Sequence, residues 1–232
     1  YSQPMNHATL SGDIISYTAL AVADRRKLEK EVRFLLDKLS HKYSTSGFYG
    51  RLVQGDHIEC ALNAPQHILR IALIIKTYVK SLEIAKDNAL NNRTKLFKEY
   101  GLRLAVAVAP LETLDAGSGI IDGEAIQLSG RLIQSQDTSE KQRLVIKRTL
   151  FFKASDAEVE AEFDPVFALL DTLLSKSSGK QCQVVYHKLM GLHEDEIAKK
   201  LSKHRSTINQ HALAAGWHAI EQTVSHFEKR IR

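Results

Sequence analysis

The stretch from Leu10 to Thr18, Leu-Ser-Gly-Asp-Ile-Ile-Ser-Tyr-Thr, constrains the fold more than any other. It reads as a short buried strand that ends on a carboxylate. Leu10, Ile14 and Ile15 supply apolar side chains, and Gly12 lets a second backbone come close. Asp13 then sits where the strand gives way to a turn, the ordinary place for a turn residue or a helix cap. A second acid in a matching setting, Asp56, follows a Gly between two strand-like runs. In the later run Ile58, Cys60 and Leu62 alternate with His57, Glu59 and Ala61, a period of two. A Gly55-Asp56 pair there suits a two-residue hairpin turn, with Asp56 at its tip.

Helical stripes separate these strands. Leu28, Val32, Leu35, Leu36 and Leu39 form one apolar face, with Asp24 as the expected cap. Lys42 to Gly50 is a polar loop. Pro65 fits the first turn of a helix through Ile68, Ile71, Ala72, Ile75, Tyr78, Val79 and Leu82. Asn88 to Arg93 reads as a surface loop, and Leu102 to Val108 as a strand stopped by Pro110. A helix follows through Ala125, Ile126, Leu128, Leu132 and Ile133, and Leu144 to Lys147 is the expected last strand. This alternation predicts an α+β sandwich of ferredoxin-like order, with its helices on one face. Beyond Ser155 the pattern turns helical. Ser155 with Glu158 offers a capping box, and Asp164-Pro165 a helix start.

Composition narrows the class. The chain has 232 residues, 44% hydrophobic and 25% charged, ordinary for a soluble globular protein with a sizeable core. No apolar run reaches the roughly 18 to 20 residues of a membrane span. The opening Tyr-Ser-Gln-Pro-Met has no basic flank before an apolar stretch, so no signal peptide is expected, and Met5 is a candidate native start. Cys60 and Cys182 form no CxxC pair and read as free thiols in a reducing cytoplasm. A net charge of +5 and a pI near 9.1 permit an anionic partner without requiring one.

Several of these segments resemble class III nucleotidyl cyclases. Asp13-Ile-Ile-Ser-Tyr-Thr18 is similar to that family's Asp-Ile-x-x-Phe-Thr stretch, and Gly55-Asp56 to its hairpin Gly-Asp. Leu102-Arg-Leu-Ala-Val-Ala resembles its fourth strand, and Gly123-Glu-Ala-Ile-Gln-Leu-Ser-Gly-Arg131 its nucleotide-contacting helix. The closer match is to SatD-like proteins, bacterial proteins that carry this kind of domain. The resemblance implies a nucleotidyl cyclase-like sandwich, a homodimer, and Mg²⁺ or Mn²⁺ held by Asp13, the Ile14 carbonyl and Asp56. It further implies nucleotide contacts from Gln127 and Arg131. Clustered carboxylates with a guanidinium fork suit phosphoryl transfer. The departures lie in the base pocket. Leu52 stands at the adenine-selecting Lys position, Ile120 at its acidic partner's, and Gln127 replaces the ribose-orienting Asn. Apolar side chains cannot satisfy a base edge, so purine discrimination should suffer.

A second pattern lies near the end of the chain. Glu194 to Leu201 reads as a short helix, Ser202-Lys203-His204 as a turn, and Arg205 to Ala215 as a second helix. Ala198 supplies the small residue at the helix crossing, and Ile208 the apolar anchor. Glu196-Ile-Ala-Lys-Lys-Leu followed by Ser206-Thr-Ile resembles the last region of sigma factors. Arg205, Ser206, Asn209 and Gln210 would then reach base edges, while Lys203 and His204, with Lys199 and Lys200, meet phosphates. The competing reading is a solvated face on a helical bundle that contacts protein. Trp217, Ile220, Val224 and Phe227 read as packing residues. His204, His211 and His218 recur every seven residues, too far apart for a helical two-His metal pair.

The expected organisation is an α+β domain over 5–150, a helical linker over 151–178 and an all-α helix-turn-helix domain over 179–232. The expected function is a cytoplasmic bacterial transcription regulator that binds DNA, whose front domain dimerises and senses a nucleotide. The alternative is an active nucleotidyl cyclase with unusual base preference. A domain that only recruits other proteins is the third possibility.

Overall fold

The computed structural model describes residues 6–84, 92–140 and 146–231. In chain order the first part comprises β1 (Asn6–Ile14), α1 (Val22–Lys42), β2 (Tyr49–Val53), β3 (His57–Leu62) and α2 (Ile68–Ser81). Then follow α3 (Asn92–Tyr100), β4 (Leu102–Pro110), β5 (Thr113–Asp115), β6 (Ile120–Asp122), α4 (Glu124–Glu140) and β7 (Leu150–Ala154). The chain ends with α5 (Ala157–Lys176), α6 (Gly179–Leu189), α7 (Glu194–Leu201), α8 (Arg205–Ala214) and α9 (Trp217–Arg230). It is a mixed α+β structure, and none of the described helices is long and apolar enough to cross a membrane.

The five main strands form one sheet in the order β2-β3-β1-β4-β7, antiparallel except for the β4–β7 pair. β1 takes the middle because residue 12 has no side chain. A Cβ there would lie 2.8 Å from the Arg103 carbonyl oxygen and collide with the Leu104 side chain of β4. β5 and β6 make a separate two-stranded arm.

Alternation along β1 gives the sheet two unlike faces. Ala8 and Leu10 point into the main core with Ile58, Cys60, Leu104, Val106 and Phe152. α1 lays its stripe of Leu28, Val32, Leu35, Leu36 and Leu39 on that core. α2 is buried nearly all round, because α6 packs on its far side. Thr9 and Ser11 point the other way. There the Ser129 hydroxyl of α4 lies 2.8 Å from that of Ser11 and 3.1 Å from that of Thr9, and Ala105, Phe151 and Ile133 form a small apolar cluster. The helices thus cover both faces, not one as expected. The helix itself matches expectation, but the sheet face it covers carries Thr9 and Ser11, small polar side chains that do not announce a covered face.

Three boundaries differ from expectation. The last strand is Leu150–Ala154, where Leu150, Phe151 and Phe152 pair with β4; Ile146 and Lys147 precede it, and Leu144 lies outside the described residues. The stretch expected as a helical linker thus begins with strand residues 151–154. α5 starts at Ala157, not at Pro165. The Asp156 carboxylate, and not the Ser155 hydroxyl, accepts from the Glu158 and Val159 amides, leaving Pro165 inside the helix. The β2–β3 turn holds three residues, Gln54, Gly55 and Asp56, the first two at positive φ. The loops expected over 88–93 and the start at Met5 fall largely outside the described residues.

The core is continuous from the sheet into the helical end of the chain. Phe227 of α9 lies 5.9 Å (ring centroids) from Phe152 of β7 and 4.8 Å from Phe163 of α5. Arg70 of α2 grips Glu228 of α9 with two hydrogen bonds of 2.7 and 3.0 Å. Lys76 of α2, 2% exposed, donates to the Leu102 carbonyl and the Thr149 hydroxyl at 2.7 Å, with the Asp171 carboxylate of α5 3.5 Å away.

Candidate functional site

The first candidate lies at the sheet end where β1 finishes. Asp13 pairs across the ladder with His57 on β3 and Arg103 on β4. One residue on, the Ile14 amide donates to the Asp56 carbonyl at 3.0 Å, and Ile15 to the Gly101 carbonyl at 3.1 Å. The two acids therefore sit at one corner of the molecule. Gly55 is held there by contact: a Cβ on it would lie 2.8 Å from the Tyr17 hydroxyl, which donates to the Glu29 carboxylate. Burial first, and then the Glu29 carboxylate, push the Tyr17 phenol up to about 12, with Asp56 adding to the rise and Arg25 opposing it.

Arg103 brings a buried cation to this corner. Its side chain is 4% exposed, and its Nη1 lies 3.7 Å from the Asp13 carboxylate. A divalent cation here would draw on Asp13, the Ile14 carbonyl and Asp56, hard oxygen donors of the kind Mg²⁺ and Mn²⁺ take. Arg103 already places a positive charge beside Asp13. Among the described residues, no group of three or more His, Cys, Asp or Glu side chains is placed to hold a metal. At 3.7 Å the Arg103 guanidinium competes with any Mg²⁺ or Mn²⁺ for the Asp13 carboxylate.

Gln127 and Arg131 are exposed on α4. Ala125, Ser129 and Ile133 turn to the sheet, so residues 127 and 131 project from the opposite side of the helix. A single chain thus presents them outward, away from the β1 ladder. Leu52 is 7% exposed in the α1-side core, while Ile120 is 49% exposed on the β5–β6 arm. A cluster that no sequence motif marks ties that arm to the sheet. Arg51 donates to Glu59 at 2.8 Å and to the Gly119 carbonyl at 2.5 Å. Hydrogen bonding from His57 first, with Arg51 adding to it and burial opposing, holds the Glu59 carboxyl down to about 2. The period-two alternation that puts Arg51 opposite Glu59 was its only signal in the sequence.

The second candidate is the α7–α8 pair. The Glu196 side chain accepts from the His193 amide at 2.7 Å at the start of α7. Ser202 ends that helix at φ 51 and ψ 49, and the Lys203 amide closes onto the Ala198 carbonyl at 2.9 Å. A left-handed non-glycine residue costs roughly 1 kcal/mol, so Ser202 makes the turn usually left to Gly at some expense. Ala198, Ile208 and Ala212 are buried, while Lys203, His204, Arg205, Ser206, Asn209 and Gln210 are exposed. Arg205 Nε lies 3.6 Å from the Glu194 carboxylate and 3.5 Å from that of Asp195.

No family model matches the chain, and no curated protein matches it. Solved structures do. It is similar to a bacterial light-regulated adenylyl cyclase at 15% identity and a TM-score of 0.42, over 65% of this chain and 43% of that one. It is similar to the guanylyl cyclase domain of the RhoGC fusion protein from the aquatic fungus Blastocladiella emersonii at 13% identity and 0.42, over 56% and 74% of the two chains. For the adenylyl cyclase CyaB from P. aeruginosa the values are 14% and 0.38, over 57% and 73%. The chain thus spans less than half the length of the first of these proteins.

Proposed function

We propose that this chain is a regulator that binds DNA through α8, and that its sheet body pairs two copies and binds a nucleotide through Gln127 and Arg131. One observation carries the first part. Arg205, Ser206, Asn209 and Gln210 share the exposed side of a helix whose other side is anchored by Ile208 and Ala212. A forked guanidinium and two amides on one ridge match guanine and adenine edges in a major groove, each good contact giving about 1–3 kcal/mol of discrimination. Lys203 and His204 at the turn lie where phosphates would run.

The test is retention of genomic fragments by the full chain across a salt series. Binding should weaken linearly in log affinity against log salt. N209A and Q210A should erase the preference among fragments while leaving the helical content by circular dichroism unchanged. No salt-sensitive retention of any fragment would overturn the reading in favour of a protein-recruiting face.

A second reading, a nucleotidyl cyclase, is favoured by the Ile14–Asp56 backbone bond, which brings the backbones of Asp13 and Asp56 to one corner. Against it stand the Arg103 guanidinium beside Asp13 and the apolar residues 52 and 120. Incubating the chain with each nucleoside triphosphate and Mn²⁺ separates the two. The regulator reading expects no cyclic product; a product that D56N abolishes would replace it with the cyclase.

A further inference from the structure

A cleft of about 710 Å³ opens between the end of α2, the first turn of α6 and the inner side of α7–α8. That volume falls among small-molecule sites, which run from about 300 to 1,000 Å³. Its charge is one-sided. Lys80, Lys180, Lys200 and Lys203 line it, against the single carboxylate of Glu83 among the described lining residues. Lys80 is committed to the end of α5, donating to the Leu174 and Ser175 carbonyls at 2.6 and 2.8 Å. Lys180, Lys200 and Lys203 are exposed around the mouth. Cations gathered round one concavity repel each other and focus a positive potential that an anion relieves. Leu82, Val184, Leu201 and Ile208 supply an apolar part of the lining.

The back wall is built close. A Cβ on Gly179 would lie 3.2 Å from the Lys80 carbonyl oxygen, so the first turn of α6 abuts the end of α2. Ser81, Ser178 and Gln183 add neutral hydrogen-bonding groups. The two walls belong to different parts of the molecule, α2 and α6 on one side and α7 and α8 on the other.

We infer that this cleft binds a small organic polyphosphate, its phosphates among Lys180, Lys200 and Lys203 and its planar or apolar part against Leu82, Val184 and Leu201. Such a ligand bridges the body to the α7–α8 pair and fixes their relative position. The inference stands apart from the nucleotide site on α4, and it shares Lys200, Lys203 and the anchor Ile208 with the α8 reading but none of the base-edge residues.

The test is calorimetric titration of the full chain with inorganic phosphate, pyrophosphate and ATP, in EDTA at 0.15 M salt. ATP should bind saturably, pyrophosphate more weakly and phosphate undetectably. K180E and K200E should each weaken ATP at least tenfold, with the conservative K180Q between them and the parent chain, and all three with unchanged circular dichroism. No saturable binding of ATP or pyrophosphate overturns the inference. So does ATP binding that K180E and K200E leave intact, which would put the nucleotide elsewhere, as on α4. If the two variants weaken DNA retention uniformly while the parent chain binds no polyphosphate, the lysines serve a nucleic-acid backbone instead and the inference fails. The α8 reading survives that last result.

Discussion

Two guanidinium–carboxylate pairs, one in the sheet body and one in the helical tail, use the same residue types to opposite ends. Arg103 is 4% exposed and faces Asp13 from the neighbouring strand. Arg205 is 66% exposed and leans toward Glu194 and Asp195 across a turn. A buried guanidinium has given up its hydration and depends on the groups around it. An exposed one keeps its water and remains available to a partner. The body has thus placed its cation inside, beside the acid that the cyclase resemblance assigns to a metal, whereas the tail holds its cation at the surface.

The largest expected effect tests the buried pair. R103M should lower stability by about 3 kcal/mol, the low end for breaking a buried ion pair because the Asp13 side chain is 25% exposed, read from the urea midpoint. The double variant R103M/D13N should recover part of that loss. The same variant sharpens the metal question. With the guanidinium gone, Asp13 and Asp56 form a corner without its resident cation, so Mn²⁺ should raise the melting temperature of R103M and leave that of the parent chain unchanged. A loss below about 1 kcal/mol would show that Arg103 behaves like a surface residue, and the contrast with Arg205 would collapse.

How much of this was legible in the sequence follows from the range of the forces involved. The α1 stripe was, since all five of its expected apolar residues are buried. So was the alternation of Ile58, Cys60 and Leu62. Both depend only on local periodicity against a core. The face under α4 was not, because its inward residues are Thr9, Ser11, Ala105 and Ser129, small or polar side chains that leave no hydrophobic signature. β7 was missed because the apolar Leu144-Val-Ile run competes with Leu150-Phe-Phe, and pairing with β4, a long-range event, decides between them. At the candidate site, the backbone corner of Asp13 and Asp56 follows from two strand ends. The approach of Arg103 to Asp13 depends on register across strands far apart in the chain. In the tail, Ala198 and Ile208 mark the crossing of α7 and α8 by local spacing alone.

A smaller effect probes burial within the tail by pH. Burial, with Lys200 and Lys38 adding positive charge nearby, pushes the His187 imidazole of α6 down to about 4 from its ordinary 6.5. Between those values the unfolded chain binds a proton that the folded chain refuses. Stability is therefore complete above pH 6.5 and falls as the pH drops toward 4, by at most about 3 kcal/mol. H187Q should flatten that part of the stability–pH curve, measured by urea melts at pH 7, 6, 5 and 4. An unchanged slope would mean that the burial of His187 contributes nothing to the acid limb, since Glu59, held down to about 2, loses its contribution only at lower pH.

The smallest expected effect on folding is the one that isolates function. Arg205 approaches its two acids at 3.5 to 3.6 Å, with most of its side chain in water, a geometry that contributes little to stability. R205A should therefore shift the urea midpoint by no more than about 0.5 kcal/mol. Its effect on DNA retention should be far larger, since the substitution removes a base-edge donor and also leaves Glu194 and Asp195 uncompensated beside the phosphates. These two contributions separate in a salt series. Adding D195N to R205A removes part of the repulsion, so affinity should rise at low salt while the preference among fragments stays lost. If R205A instead destabilises the chain as much as R103M does, Arg205 belongs to the scaffold, and the ridge on α8 loses its claim to be a reading surface.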